Sequence, residues 1–264
     1  MSNVPVMWYG HDGSQWDLSG SGRDHGGVIL TQVADMVAQV DREVTLKSTG
    51  RGSFVNGMTY PGIEGVLSFN AADDFDLGLK KGEVYRNFKN SWATKKPGRL
   101  VVVTSTSRAF SIDAYLAAVI PATEFSPWST GLNSLDFEVQ VYSTDGLWVG
   151  DERVWGGGSA TVPNWGDVDI YPVVRWTGNN QSVTFGDLVV DLPSTPAGQY
   201  RRLSTDPSEG FVITDDSGNI DVSRWSARRG KTALMLIKSG HVEEFEFSSG
   251  VELLTRELLE NPWG

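Results

Sequence analysis

The chain has 264 residues, a formal net charge of −11, 39% hydrophobic and 21% charged residues, and no cysteine. That length holds one large or two moderate domains with a sizeable core. The composition excludes disulfides, thiol catalysis and Cys-ligated zinc, and it argues against a protein that grips nucleic acid through a basic stripe.

The acidity is spread along the chain. Residues 1–150 hold 12 basic against 16 acidic side chains and the rest 10 against 17, so neither half carries a basic block. Thirty glycines beside 10 tryptophans predict short strands joined by tight turns. The N-terminus, Met1 to Gly10, lacks the basic start and apolar core of a signal peptide, and no apolar run approaches the ~20 residues of a membrane helix. The expectation is a protein made in a cytoplasm and not inserted in a membrane.

In chain order, residues 8–30 are turn-rich, with a short strand at Gly27–Leu30. Arg42–Lys47 alternates with period two and predicts a strand, and Gly65–Asn70 predicts a second. Residues 71–92 are the helix candidate: Asp73 or Asp74 caps it, and Phe75, Leu79, Val84, Phe88 and Trp92 form an apolar stripe that Gly78 and Gly82 weaken. Arg99–Thr104 and Arg108–Leu116 predict a strand pair, and Ser134–Ser143 alternates cleanly. A boundary is expected within residues 144–160, at the glycine run Gly156–Gly158 or several residues from it. Beyond it, short strand patterns at 171–177, 181–191, 200–205, 210–214, 219–224, 232–237, 241–247 and 251–257 predict an all-β sandwich or jelly roll. The expected domains are 1–150 and 151–264.

No residue set announces a reaction. His11, His25 and His241 are far apart and lack metal-ligand spacing. No Gly-x-Ser-x-Gly elbow, phosphate loop or dinucleotide fingerprint is present; Gly20-Ser-Gly22 is one residue short of the elbow. Glu244 and Glu246 share a strand face opposite Phe245 and Phe247, the ordinary polar-out, apolar-in pattern of a sandwich strand. Asp215–Asp221 is similar to a calcium loop, but the twelfth position is Ser226 and not Glu, so a hairpin turn is expected. No catalytic residue, metal site or cofactor is expected. Trp148, Trp155, Trp165, Trp176 and Trp225 permit a sugar-stacking reading. Trp176 alternates with Val174 and is expected in the core, whereas Trp148, Trp155 and Trp165 are candidates for inter-domain or subunit packing.

The most informative stretch is Thr161–Gly178, which reads Asn164-Trp-Gly166, a polar break, Tyr171-Pro172, then a strand to Thr177-Gly178. It is preceded by the Gly-Trp-rich start Tyr9–Leu18, by Gly27-Val-Ile-Leu30, by Arg42–Lys47, and by Phe137–Trp148, which ends at a corner with Gly146 where proline is usual. It is followed by Tyr200–Pro207, Val251–Arg256 and Trp263. In this order over nearly the whole chain, these elements resemble the distal tail proteins of long-tailed (siphovirus-type) bacteriophages, closest to the minor tail proteins of actinobacterial phages. The tail Glu257–Glu260 and Gly146 depart from the pattern.

The resemblance implies a mainly β protein: an N-terminal tail-tube-like β-sandwich/barrel domain with one helix, plus a C-terminal galectin-like β-sandwich. It implies a structural virion protein of the tail tip, forming a homo-hexameric ring between tail tube protein and baseplate hub, through which DNA and the tape measure pass. Receptor-binding proteins are further candidate partners. The competing readings are a carbohydrate-binding module using the C-terminal sandwich and, weakest, a cell-wall hydrolase.

Overall fold

The computed structural model describes residues 5–19, 27–46, 53–121, 123, 126–129, 131–228 and 230–263. The described chain is mainly β, in antiparallel sheets with two helices. It divides into two compact units, Met1–Gly150 with Leu259–Gly264, and Asp151–Leu258. His25, Gly20-Ser-Gly22 and the Met1–Val4 start lie outside the described residues.

The first unit contains β1 (Val6–Tyr9), β2 (Gln15–Asp17), β3 (Val28–Ala34), β4 (Asp41–Leu46), β5 (Ser53–Thr59), β6 (Ile63–Ala72), α1 (Lys81–Asn90), β7 (Gly98–Val103), β8 (Ala109–Leu116), β9 (Ser134–Ser143) and β10 (Trp148–Gly150). Its main sheet runs β2-β1-β7-β8-β9-β6-β3, with β10 also beside β8. The alternation read in β9 is what the fold uses. Leu135, Phe137, Val139 and Val141 are buried while Asp136, Glu138 and Gln140 face outward, and β9 pairs with β6 from Ile63↔Ser143 to Ala72↔Ser134.

The helix is shorter than the apolar stripe suggested. β6 extends to Ala72, and the chain then turns tightly, with an Asp74↔Leu79 bridge and Gly78 at φ 65°. Left-handed backbone of that kind breaks a helix and suits glycine. The N-cap is Lys80 and not Asp73 or Asp74, although Asp73 Oδ1 accepts from the Lys81 N–H at 2.8 Å and Glu83 Oε2 from the Lys80 N–H at 3.1 Å. Val84, Tyr85 and Phe88 point into the core with Trp92, but Phe75 is left 73% exposed on the turn. Around Phe88 the core is aromatic: Trp8 stacks on Trp92 at 3.7 Å, and Phe69 and Phe137 stack at 5.5 Å. A Cβ on Gly98 would lie 2.2 Å from the Trp8 ring, so only glycine lets β7 pass that indole.

The last six residues, expected in the second domain, belong to the first unit. The Ala38 N–H donates to Glu260 O at 2.8 Å and the Tyr60 hydroxyl to Glu260 Oε1 at 2.9 Å. Trp263 donates from Nε1 to Met36 O at 3.1 Å and meets Trp148 edge-on at 5.5 Å.

The second unit contains β11 (Arg153–Gly156), β12 (Ser159–Pro163), β13 (Val173–Trp176), β14 (Gln181–Phe185), β15 (Leu188–Leu192), β16 (Arg201–Ser204), β17 (Ile213–Asp215), α2 (Val222–Ala227), β18 (Val242–Phe247) and β19 (Val251–Thr255). Two antiparallel sheets, β11-β19-β13-β16-β17 and β12-β18-β14-β15, share one core that includes Val162, Trp176, Val183, Leu203, Phe245 and Leu253. That is a β-sandwich. The unit starts at Asp151, ahead of the glycine run. Gly157 and Gly158, at φ 91° and 99°, carry the chain from β11 in one sheet to β12 in the other, so the run is a turn inside the sandwich.

Two expected strands are absent. Residues 222–227 are helical because Asp221 caps them, its carboxylate accepting from the Arg224 N–H at 3.2 Å. Within 232–237, Ala233, Met235 and Ile237 alternate into the core as a strand would, but the only β-pairing of the segment among the described residues is the bridge Ile170↔Ile237.

Candidate assembly surfaces and binding pockets

The residues weighed for chemistry are occupied structurally. The exposed His11 ring Nε2 lies 3.1 Å from Asn90 O, and the His241 Nδ1 lies 2.9 Å from Ser239 O. No group of three or more potential metal ligands occurs among the described residues. Asp215 Oδ1 accepts from the Ser217 and Asn219 N–H groups, both at 2.9 Å, which makes the calcium-like stretch a turn.

Asp221, at its far end, pairs with Arg201 at 2.7 Å and Arg224 at 2.6 Å. Burial pushes its carboxyl up, but hydrogen bonds from Arg201, Ser223 and Arg224 outweigh that and hold it well below the usual carboxylate range. A depressed folded-state pKa contributes stability above the unfolded value of about 3.9 and loses it as pH falls toward the folded value. Asp221→Asn is therefore expected to cost about 2–3 kcal/mol at pH 7, because it strands the largely buried Arg201. The gap from wild type should narrow below about pH 4, as urea melts across a pH series will read; a gap independent of pH contradicts the assignment.

The stretch from Thr161 to Gly178 is organised by Asn164, which is fully buried. Its Nδ2 donates to Val168 O at 2.9 Å and Ile237 O at 3.0 Å, and its Oδ1 accepts from the Gly166 N–H at 3.0 Å. Its backbone N–H donates to His241 O at 2.9 Å and its carbonyl accepts from Gly240 at 2.8 Å. Gly166 is needed two residues on because a Cβ there would stand 2.5 Å from Leu258 O. The aromatic-Pro element is tied to the Tyr200–Pro207 element, where buried Thr205 donates from Oγ1 to Pro172 O at 2.6 Å. These motifs hold a loop against a sandwich.

The three candidate packing tryptophans separate. Trp148 is fully buried in the core of its own unit, its Nε1 donating to Met36 O at 3.2 Å. Trp155 packs partly buried against the second core and donates to Thr255 Oγ1 at 2.8 Å. Trp165 is 49% exposed, so of the three it alone offers a large indole face. Trp176 is buried as expected, with Nε1 donating to Pro193 O at 2.8 Å, and Trp225 lies on α2. They form no shared platform.

Three surface features remain. The outward face of β12-β18-β14 carries Ser159, Thr161, Glu244, Glu246, Ser182 and Thr184, hydroxyls and carboxylates without a ring to stack on a sugar, because Phe245 and Phe247 turn inward. In the first unit, β4 and β5 pair only with each other among the described residues, with Val44 and Met58 more than half exposed. Beside the α1 N-terminus, Phe75, Leu77 and Trp128 are exposed, and Trp128 presses on Gly82, where a Cβ would lie 2.6 Å from its ring.

No protein-family model matches the sequence, and no curated protein matches it. Solved structures do match. The two-unit β architecture has a solved counterpart. It is shared with the SPP1 Dit (gp 19.1) protein, described as a paradigm of the hub adsorption apparatus in Gram-positive-infecting phages: TM-score 0.59, 11% identity, 97% of this chain and 98% of that one covered. Chains of the phage P2 baseplate in its activated conformation with Ca and of the phage p2 baseplate with Sr align over 97% and 96% of this chain and 98% of theirs, at 13% identity but with TM-scores of only 0.48 and 0.47. The fold expectation is met by the first of these.

Proposed function

We propose that this chain is a structural protein of the phage tail tip, building a homo-hexameric ring that joins the tail tube to the baseplate hub and lets DNA pass. The observation that carries the reading is the end-to-end correspondence with the SPP1 hub protein, 97% and 98% of the two chains in one alignment. A sandwich alone hosts many functions. A single fold matched over nearly the whole of both chains supports that role.

Two physical features support it. A DNA conduit must not hold its cargo, and a net charge of −11 repels phosphate. A two-stranded sheet is marginal on its own in water, and β4–β5 has outer edges that pair with no other described strand. A neighbouring subunit supplies the missing partner, in the heterologous contact that closes rings. Trp165 is proposed as a further subunit contact.

Val44→Glu with Met58→Glu tests the reading. Both side chains are exposed, so the double variant is expected to keep the wild-type melting temperature and to elute as a monomer where the wild type elutes as a ring. Equal assembly in both proteins contradicts this role for β4–β5. A glycan array probed with the full chain separates the carbohydrate-binding alternative, which demands saturable neutral-sugar binding.

A further inference from the structure

The second unit holds a small pocket that the assembly role does not use. It has a volume of about 220 Å³ and is walled by Phe211, Trp225, Arg228 and Lys231 between the turns at Gly210 and Gly230. It is too small for a drug-sized ligand and holds roughly seven water volumes, room for one ring.

Its walls are specific. Arg228 is only 6% exposed. Its guanidinium donates from Nη1 to Asp191 O and from Nη2 to Thr232 O at 3.3 Å, and Nε has no partner. A guanidinium has five N–H donors; described residues take one from each Nη, the unpartnered Nε is itself shielded from solvent, and no carboxylate of a described residue pairs with it. A buried cation held by two carbonyls is an incomplete pair. Burial pushes its pKa down, with the nearby Asp191 charge opposing.

The exposed Lys231 adds a second cation at the rim. Trp225 donates from Nε1 to Gly210 O at 3.2 Å, which fixes its indole over the turn. Phe211 sits at φ 53°, a left-handed conformation that costs a non-glycine residue about 1 kcal/mol or more and clusters where a ligand is clamped.

We infer that this pocket binds a small anionic sugar, with Arg228 and Lys231 taking a carboxylate or phosphate and Trp225 and Phe211 taking the ring face. Arginine pairs with both anions through the same fork of donors, and aromatic faces suit the C–H side of a sugar ring. The inference goes beyond the tail-tip role, and particle size reads one while ligand titration reads the other, so either can fail alone.

The test is calorimetric titration of the full chain with sodium glucuronate, glucose 6-phosphate, glucose and inorganic phosphate. Saturable binding of glucuronate or of glucose 6-phosphate is expected, with the stronger of the two naming the source of the anion. Glucose should bind at least tenfold more weakly. Arg228→Ala empties a buried site and is unsuitable, so Lys231→Glu and Trp225→Ala carry the test: each should keep the wild-type melting temperature and weaken binding roughly tenfold, the effect of one lost charge-assisted bond or stacking contact. The inference is overturned if neither anionic sugar binds, if glucose binds equally well, or if binding is unaffected by both variants.

Discussion

Replacing Asn164 with alanine is expected to destabilise the second unit by about 4 kcal/mol. The substitution removes three hydrogen bonds at once and leaves Val168 O and the Gly166 N–H without partners, while Ile237 O keeps only its bond from the Ile170 N–H. Each orphaned buried group costs about 1–3 kcal/mol, more than the bond itself contributed, because water cannot replace the lost partner. Asn164→Asp should be no better: it sets a carboxylate oxygen against two carbonyls where the amide donated to both. Urea unfolding followed by near-ultraviolet circular dichroism will measure both. A loss below about 1 kcal/mol for the alanine variant contradicts the view that this residue organises the opening of the sandwich.

Gly146→Ala should cost about 3 kcal/mol or more and lower the melting temperature of the first unit by roughly 6–12 °C. A Cβ at this corner would stand 2.1 Å from Tyr60 O and 2.6 Å from Tyr60 C. Both are backbone atoms, so no rotamer change relieves the clash and the strand end itself must move. Proline carries the same Cβ, so Gly146→Pro restores the corner of the resembling proteins in sequence while damaging it here. Gly131→Ala is the control, since its nearest atom would be 4.0 Å from the new Cβ. Equal melting of Gly146→Ala and Gly131→Ala contradicts the steric account.

How much was legible in the sequence depended on whether a pattern had a local cause. The alternation of Ser134–Ser143 has one, because a strand buried on one face puts every second side chain in the core, and β9 has the expected bounds. The helix was overextended because an apolar stripe at helical spacing is also compatible with a strand end followed by a turn, and Phe75 entered the stripe by coincidence. The short helix α2 was missed although its signal was present: Asp221 is a capping residue, and its claim outweighed the alternation read across 219–224. The return of Leu259–Gly264 to the first unit had no local signature, since it rests on bonds from Ala38 and Tyr60 and to the Met36 carbonyl, far away in sequence.

The motifs of the resemblance were legible as an order, but their reasons were not. Asn164 and Gly166 work as a pair because the amide takes three backbone partners and the glycine must pass Leu258. Trp148, Trp155 and Trp165 looked alike in sequence. Only packing assigns the first two to cores and leaves Trp165 on the surface. The buried Arg228 was not singled out, because a lone arginine after a short helix carries no sequence signal of burial.

The proposed function requires copies of this chain to close into a ring. Cryo-electron microscopy of the purified full-length protein over a concentration series, alone and mixed with its tail tube protein, tests it most directly. Class averages with sixfold symmetry and an open axial channel are the predicted result. Monomers at every concentration, with and without the tube protein, would contradict it.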